Sequence, residues 1–444
     1  MDKLTGVLDF DSCKMPFFKN DFIFDFATLD ISPLQHWLPA ETKPTKEGFV
    51  TGQTHSGHYI AIYTGQEVFR VNATSSIHTY LYITSKGNAG DMWCGQPFDG
   101  ISFCGGCVDK IYRANAIKSD NLFTEKEITL KLNNGKKEFC FKDSNNEKIK
   151  AIFSTNVSMS RSVEKGFSIK EDGQFLNVSF ESKRTLKDVP IIIQNISRII
   201  SFIIFRQDLY FDKIFLTKKT ERADYEPVAV VHLERKSETQ KSSTQTLAIH
   251  NLGANCGKFF SLIWNNSMGT TSYIPEKDAD AKMIKAIDIK EICSALEYEI
   301  DHTKDILSKE DLSLKLLTDE IKQKVKEHQS SDNPLPTKTY DLIFGSISHW
   351  SQSLSNQIIA LWKKHKAAID VISSRISVDL TESKIEAFVK YRNKTSHGNN
   401  LVLSQDIANT AILLECLIYC NVLSRSGMKE TKIIEICKNI LFTS

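Results

Sequence analysis

The feature that most constrains this chain is a change of hydrophobic period past its middle. Up to about residue 270, apolar and β-branched residues alternate with polar ones in short runs: Phe22–Phe26, Tyr59–Tyr63, Thr79–Ile83, Ile128–Leu132, Lys137–Phe141, Phe175–Phe180, Lys213–Leu216 and Val228–Leu233. Period two is the requirement of a half-buried strand, whose successive side chains point to opposite faces. Turn formers, including Asn133-Asn134-Gly135 and Asp172-Gly173, separate the runs. Many short strands so punctuated imply sandwich-like β architecture. One stretch departs from it: Ile193, Ile196, Ile199, Ile200 and Ile203 recur at helical spacing, which predicts a single helix over 191–205. Pro275 and Glu276-Lys277-Asp278 mark a boundary at 271–280. Beyond it the apolar stripes follow a 3.6-residue period, near 280–303, 306–329, 338–370, 380–397, 404–425 and 428–441. The expected class is α+β, with a β-rich domain over 1–270 and an all-α bundle over 280–444.

Within the helical half one polar hexad stands out, Arg392-Asn393-Lys394-Thr395-Ser396-His397, followed by Gly398. Asp379 is placed to cap the helix that carries it, with Glu382 three positions on in capping-box spacing. Ile385, Phe388 and Val389 supply its buried stripe, and Gly398 is a natural stop. Arg392, seven residues after Ile385, projects from the edge of that stripe. Arg is a permanent fork-shaped cation for a phosphate, and His passes a proton near neutral pH. The same residue types also serve as carbonyl partners and favourable charges at helix C-termini. Five residues apart on a straight helix, Arg392 and His397 are about 140° apart around the axis. A common site therefore needs a distorted helix end or a second copy of the chain.

The string Tyr391-Arg392-Asn393-Lys394-Thr395-Ser396-His397-Gly398 resembles the Arg-Asn-x3-His signature of HEPN domains, in the form found in ApeA-like bacterial anti-phage proteins. The resemblance is sharp over about 280–444 and loose before it. It implies a β-rich regulatory or sensor domain followed by a helical ribonuclease domain. The implied activity is metal-independent endoribonuclease cleavage of RNA, tRNA among the possible substrates, in abortive infection under a phage-derived trigger. Arg392 and His397, with Asn393, would be catalytic, Lys394 and Tyr391 would contact RNA, and two HEPN domains would pair as a homodimer or larger assembly. The alternative within the resemblance is a non-catalytic dimerisation or RNA-binding module attached to a ligand-binding β-sandwich. A concave aromatic site around Tyr59 or Trp93 would signal the latter.

Net charge is +2 over 444 residues, so any RNA contact must come from a local patch. The most apolar run, Val189 to Phe205, contains Gln194, Asn195, Ser197 and Arg198, and is not expected to span a membrane. The first residues lack the apolar core of a signal peptide, and ten scattered cysteines fit reduced thiols, so a cytoplasmic location is expected.

Cys94, Cys104 and Cys107 form the best candidate for a structural zinc site. Cys104-Gly105-Gly106-Cys107 has the spacing that lets two thiolates hold one metal. Cys256 or His78 would supply a fourth ligand, and the other reading is three buried thiols in a β domain, with Gly105-Gly106 simply a turn. No cofactor is expected for catalysis. Gly253-Ala254-Asn255-Cys256-Gly257-Lys258 is one residue short of a P-loop and lacks the Ser or Thr after Lys. His55-Ser56-Gly57-His58 has no Glu between its histidines, and His349 and His365 read as structural.

Overall fold

The structure is a computed structural model that describes residues 4–10, 13–27, 40–42, 47–65, 69–71, 74–86, 93–112, 117–119, 130–132, 136–162, 166–222, 224–234, 247–265, 271–276, 284–303, 309–348, 353–396 and 402–439. Met1–Lys241 with Ala248–Asn265 makes one compact unit, and Ser242–Leu247 with Asn266–Ser444 a second. The class is α+β, an antiparallel β region followed by helices.

In the first unit thirteen strands join in one hydrogen-bonded order. From one edge it runs Thr74–His78, Ile23–Ala27, Cys13–Asn20, Leu4–Phe10, Phe49–Thr54, Tyr59–Tyr63 and Leu81–Ser85. It continues through Tyr225–Leu233, Lys213–Lys219, Phe98–Cys104, Gly166–Arg184 and Lys148–Ser162 to the other edge at Lys137–Lys142. Ile23–Ala27 and Leu81–Ser85 are five strand steps apart, roughly 24 Å in a flat sheet at about 4.8 Å per step. Yet the rings of Phe24 and Tyr82 are 5.4 Å apart, and so are those of Phe22 and Tyr82. The sheet therefore coils until its faces meet over a core that includes Leu8, Met15, Phe17, Ile60 and Ile62. The expected sandwich-like layering arises within a single order of strands.

Helices cover the remainder of this sheet: α1 (Cys107–Ile111), α2 (Asp188–Ile204), α3 (Ile249–Leu252) and α4 (Cys256–Trp264). α2 lies where the isoleucine spacing put it, and Ile193, Ile196, Ile199, Ile200 and Ile203 are all buried. Its Phe202 meets Phe259 of α4 at 5.5 Å, and Phe260 of α4 meets Phe139 of the edge strand at 4.7 Å. Asp172-Gly173, expected as a turn, lies inside the Gly166–Arg184 strand. The register steps there from Asn156↔Gly173 to Val157↔Glu171, so Asp172 is the extra residue of a β-bulge and Gly173 takes φ +115°.

The second unit comprises α5 (Ala286–Asp301), α6 (Lys309–Gln329), α7 (Thr337–Ser348), α8 (Leu354–Lys364), α9 (Lys366–Ile376), α10 (Glu382–Ser396), α11 (Gln405–Arg425) and α12 (Glu430–Asn439). α11 is the centre, packed on α5, α8, α9, α10 and α12. It is long and apolar enough to cross a membrane, and 72% of its apolar stretch is buried inside the protein. The single helix expected over 338–370 is three. Ser353 opens α8 by accepting a bond from the Asn356 amide at 3.3 Å, and the chain turns again at His365. His365 is fully buried, with Nδ1 3.1 Å from Glu430 Oε2 and Nε2 3.3 Å from Asn421 Oδ1, which answers the structural reading of that residue.

Candidate functional site at the end of α10

α10 packs on α5, α8 and α11 through Ile385, Phe388 and Val389, the stripe read from the sequence. Its cap is Thr381, not Asp379: Thr381 Oγ1 accepts from the Lys384 amide at 3.3 Å, and the Asp379 carbonyl accepts from Lys384 Nζ at 2.8 Å. The helix starts two residues later than the capping-box reading requires, because Thr381 already satisfies a first-turn amide.

Arg392 emerges at the edge of the buried stripe, half-buried, as its spacing implies. Its guanidinium is held on two sides. Nη2 donates to Glu297 Oε1 on α5 at 3.1 Å, and Nη1 donates to Asn393 Oδ1 at 3.2 Å. Cys293 stands one turn before Glu297; burial pushes its thiol up to about 12, against the opposing pull of the Arg392 charge. The thiol is therefore inert at neutral pH. Asn393 and Lys394 are exposed. Tyr391 is only 8% exposed, so its ring belongs mostly to the bundle interior. Thr395 turns its hydroxyl back onto the Tyr391 and Arg392 carbonyls at 3.1 and 3.0 Å. The helix runs regularly through Ser396, with no distortion between Arg392 and that point. His397 and Gly398, like His349, lie outside the described residues. Glu297 was missed by sequence reasoning; it lies one position off the α5 stripe of Ile289, Ile292, Cys293, Leu296 and Ile300.

Among the described residues no three His, Cys, Asp or Glu side chains gather as a metal-holding group. Cys94 is exposed, and its amide donates to Gln96 Oε1 at 2.8 Å. Cys104 and Cys107 flank a tight turn in which Gly105 and Gly106 take φ +67° and +60°. A Cβ on Gly105 would fall on the Asp212 carboxylate, so the Gly-Gly pair answers a steric demand of the turn. Burial pushes both thiols above their ordinary range. Cys256 Sγ bonds the Gly253 carbonyl at 3.3 Å, and His78 Nε2 is 3.1 Å from Glu234 Oε1. The segment around Gly253–Lys258 is a 3-10 turn leading into α4.

The chain matches no family model, no curated protein and no solved structure.

Proposed function

We propose that the helical unit is a metal-independent endoribonuclease in which Arg392 and His397 act on one phosphodiester. The observation that carries this reading is the half-buried Arg392 guanidinium, fixed by Glu297 and Asn393 beside the exposed Lys394. A cation held in place before substrate arrives is what stabilises a developing phosphorane charge. His397 takes the proton of the ribose 2′-OH or gives one to the leaving 5′-oxygen. The 2′-oxygen attacks phosphorus, the P–O5′ bond breaks, and the products are a 2′,3′-cyclic phosphate and a 5′-hydroxyl. The regular helix through Ser396 favours the two-copy form of this site, with Arg392 and His397 of two chains lining one cleft. The β-rich unit then restrains or triggers the nuclease, in a role consistent with anti-phage defence.

The test is RNA cleavage by purified full-length chain in EDTA. Arg392→Ala and His397→Ala should each lower the rate by about 100-fold or more, with cyclic phosphate ends in the wild-type products. Wild-type rates in both variants would remove the assignment. The Glu297 pair also favours a second reading, a non-catalytic module in which Arg392 braces α10 against α5. There, Arg392→Ala lowers thermal stability and no RNA cleavage accompanies the wild type.

A further inference from the structure

Tyr59 and Trp93, the aromatic markers singled out in the sequence, do not form an open site. Trp93 is 4% exposed, meets Tyr59 edge-on at 5.6 Å and donates its indole N–H to the Gln96 carbonyl at 2.6 Å. The concave aromatic surface lies elsewhere on the sheet. The register sets Ile214, Val231 and Ile83 side by side, and all three are buried. Alternation turns their neighbours to the opposite face: Phe215, Val230 and Thr84 in one row, His232 and Tyr82 in the next. Over this face opens a cleft of about 810 Å³, with walls completed by Phe22 and the Leu209–Phe211 segment.

The floor of the cleft is aromatic. Tyr82 and His232 are stacked at 4.3 Å with ring planes 6° apart. Lys86 Nζ stands 5.5 Å from the Phe215 ring centre. His232 Nε2 is 2.9 Å from Thr84 Oγ1. Burial first, and the Lys19 charge second, push its pKa down to about 4, so the ring is neutral at physiological pH. The charged groups are exposed at the rim, Lys86 and Lys213 against Asp21, Asp212 and Glu234.

Aromatic rings on the floor favour a planar heteroaromatic group, which stacks on them and takes the place of Lys86 over Phe215. With Lys19 Nζ 5.1 Å from the Tyr82 ring centre, three cations face three carboxylates, so the cleft has no net positive charge to favour a polyanion. Carboxylates in that position accept hydrogen bonds from hydroxyls. The volume lies within the usual range for a small-molecule site. We propose that this cleft binds a nucleoside or nucleoside monophosphate, its base laid against Phe215 and His232 and its sugar hydroxyls donating to the rim carboxylates. The proposal stands apart from the nuclease reading, since it concerns the β-rich unit and is measured by binding alone.

Titration calorimetry of the full chain with the four ribonucleosides, their monophosphates and ATP tests it. At least one nucleoside or monophosphate saturates the protein, and ATP binds less tightly than AMP. Phe215→Ala and His232→Ala weaken that binding by about ten- to a hundred-fold, the usual loss of a stacking partner, while far-UV circular dichroism is unchanged. Val230→Trp fills the cleft without removing a polar group and abolishes binding. No saturation by any of these ligands up to about 10 mM, binding indifferent to all three substitutions, or ATP as the tightest ligand would each overturn it.

Discussion

Replacing Arg425 with Met probes what fixes the helical unit in one arrangement. Glu299 of α5 is fully buried, and Arg425 Nη1 of α11 donates to its Oε1 at 2.6 Å. Asn421 Nδ2 donates to the other oxygen at 2.7 Å. The guanidinium is 15% exposed and stands 5.7 Å over the Tyr298 ring. Methionine keeps much of the stem's packing and removes the charge. What remains is a buried carboxylate with a neutral amide donor. Burial already holds the Glu299 carboxyl above its ordinary range with Arg425 in place, so desolvation outweighs the ion pair even in the native protein. Breaking one side of such a pair costs about 3–5 kcal/mol. In a unit of this size each kcal/mol moves the midpoint by about 2–4 °C, which places the loss at about 6–20 °C. Scanning calorimetry of the full chain should show the helical transition falling by that amount. Adding Glu299→Gln to the same chain should restore most of it, because the orphaned charge is gone. A melt within about 2 °C of wild type, or no rescue by the second substitution, would show that the carboxylate finds solvent or another partner, and the reasoning would fail.

Because the Glu299 carboxyl is held above its unfolded value, the folded protein binds that proton more tightly. The contribution is fully present below the unfolded pKa and is lost as pH rises through the folded one. Urea unfolding at a series of pH values should show this loss in wild type and not in Glu299→Gln. Thr381→Ala should destabilise the protein by about 1 kcal/mol and Asp379→Ala by clearly less; the opposite order would put the α10 cap back at Asp379. Gly105→Ala must adopt φ +67° and displace the Asp212 carboxylate, so urea unfolding should show a loss of more than about 1 kcal/mol. Wild-type stability there would mean that the turn relaxes without cost.

The period of the sequence separated the two halves of the chain, although α1, α3 and α4 of the β-rich unit escaped it. The eight runs read as strands all overlap strands of the structure, and the isoleucine spacing located α2 within a few residues. Two strands that escaped notice share a cause. Leu4–Phe10 and Phe49–Thr54 contain Gly6 and Gly52, which read as breaks in a one-dimensional pattern. In the coiled sheet they sit where neighbouring backbones press together: a Cβ on Gly6 would fall on the Gln53 carbonyl and one on Gly52 on the Val7 carbonyl. The residues that hide these strands are the ones the coil requires. The 338–370 segment failed for the reverse reason. Its apolar spacing continues across His365, but that imidazole is drawn inside between Glu430 and Asn421, partners that lie 65 and 56 residues further on. A local window carries no sign of them.

The same limit applies at the candidate site, and it shapes what the site can do. The edge position of Arg392 was legible because Ile385, Phe388 and Val389 set the phase of α10. Glu297 was not, being 95 residues earlier on another helix. Its carboxylate offsets part of the Arg392 charge, yet the pairing uses one guanidinium N–H and Asn393 takes another. A guanidinium has five such donors, so these two bonds leave three uncommitted. The ion pair thus sets the direction of the fork without exhausting it. A brace needs only the two bonds already made and is indifferent to the rest. A catalytic arginine needs the remaining donors to face the same space as an imidazole five residues along the chain. On a helix that stays regular through Ser396, a partner chain meets that condition more readily than the far side of α10 itself.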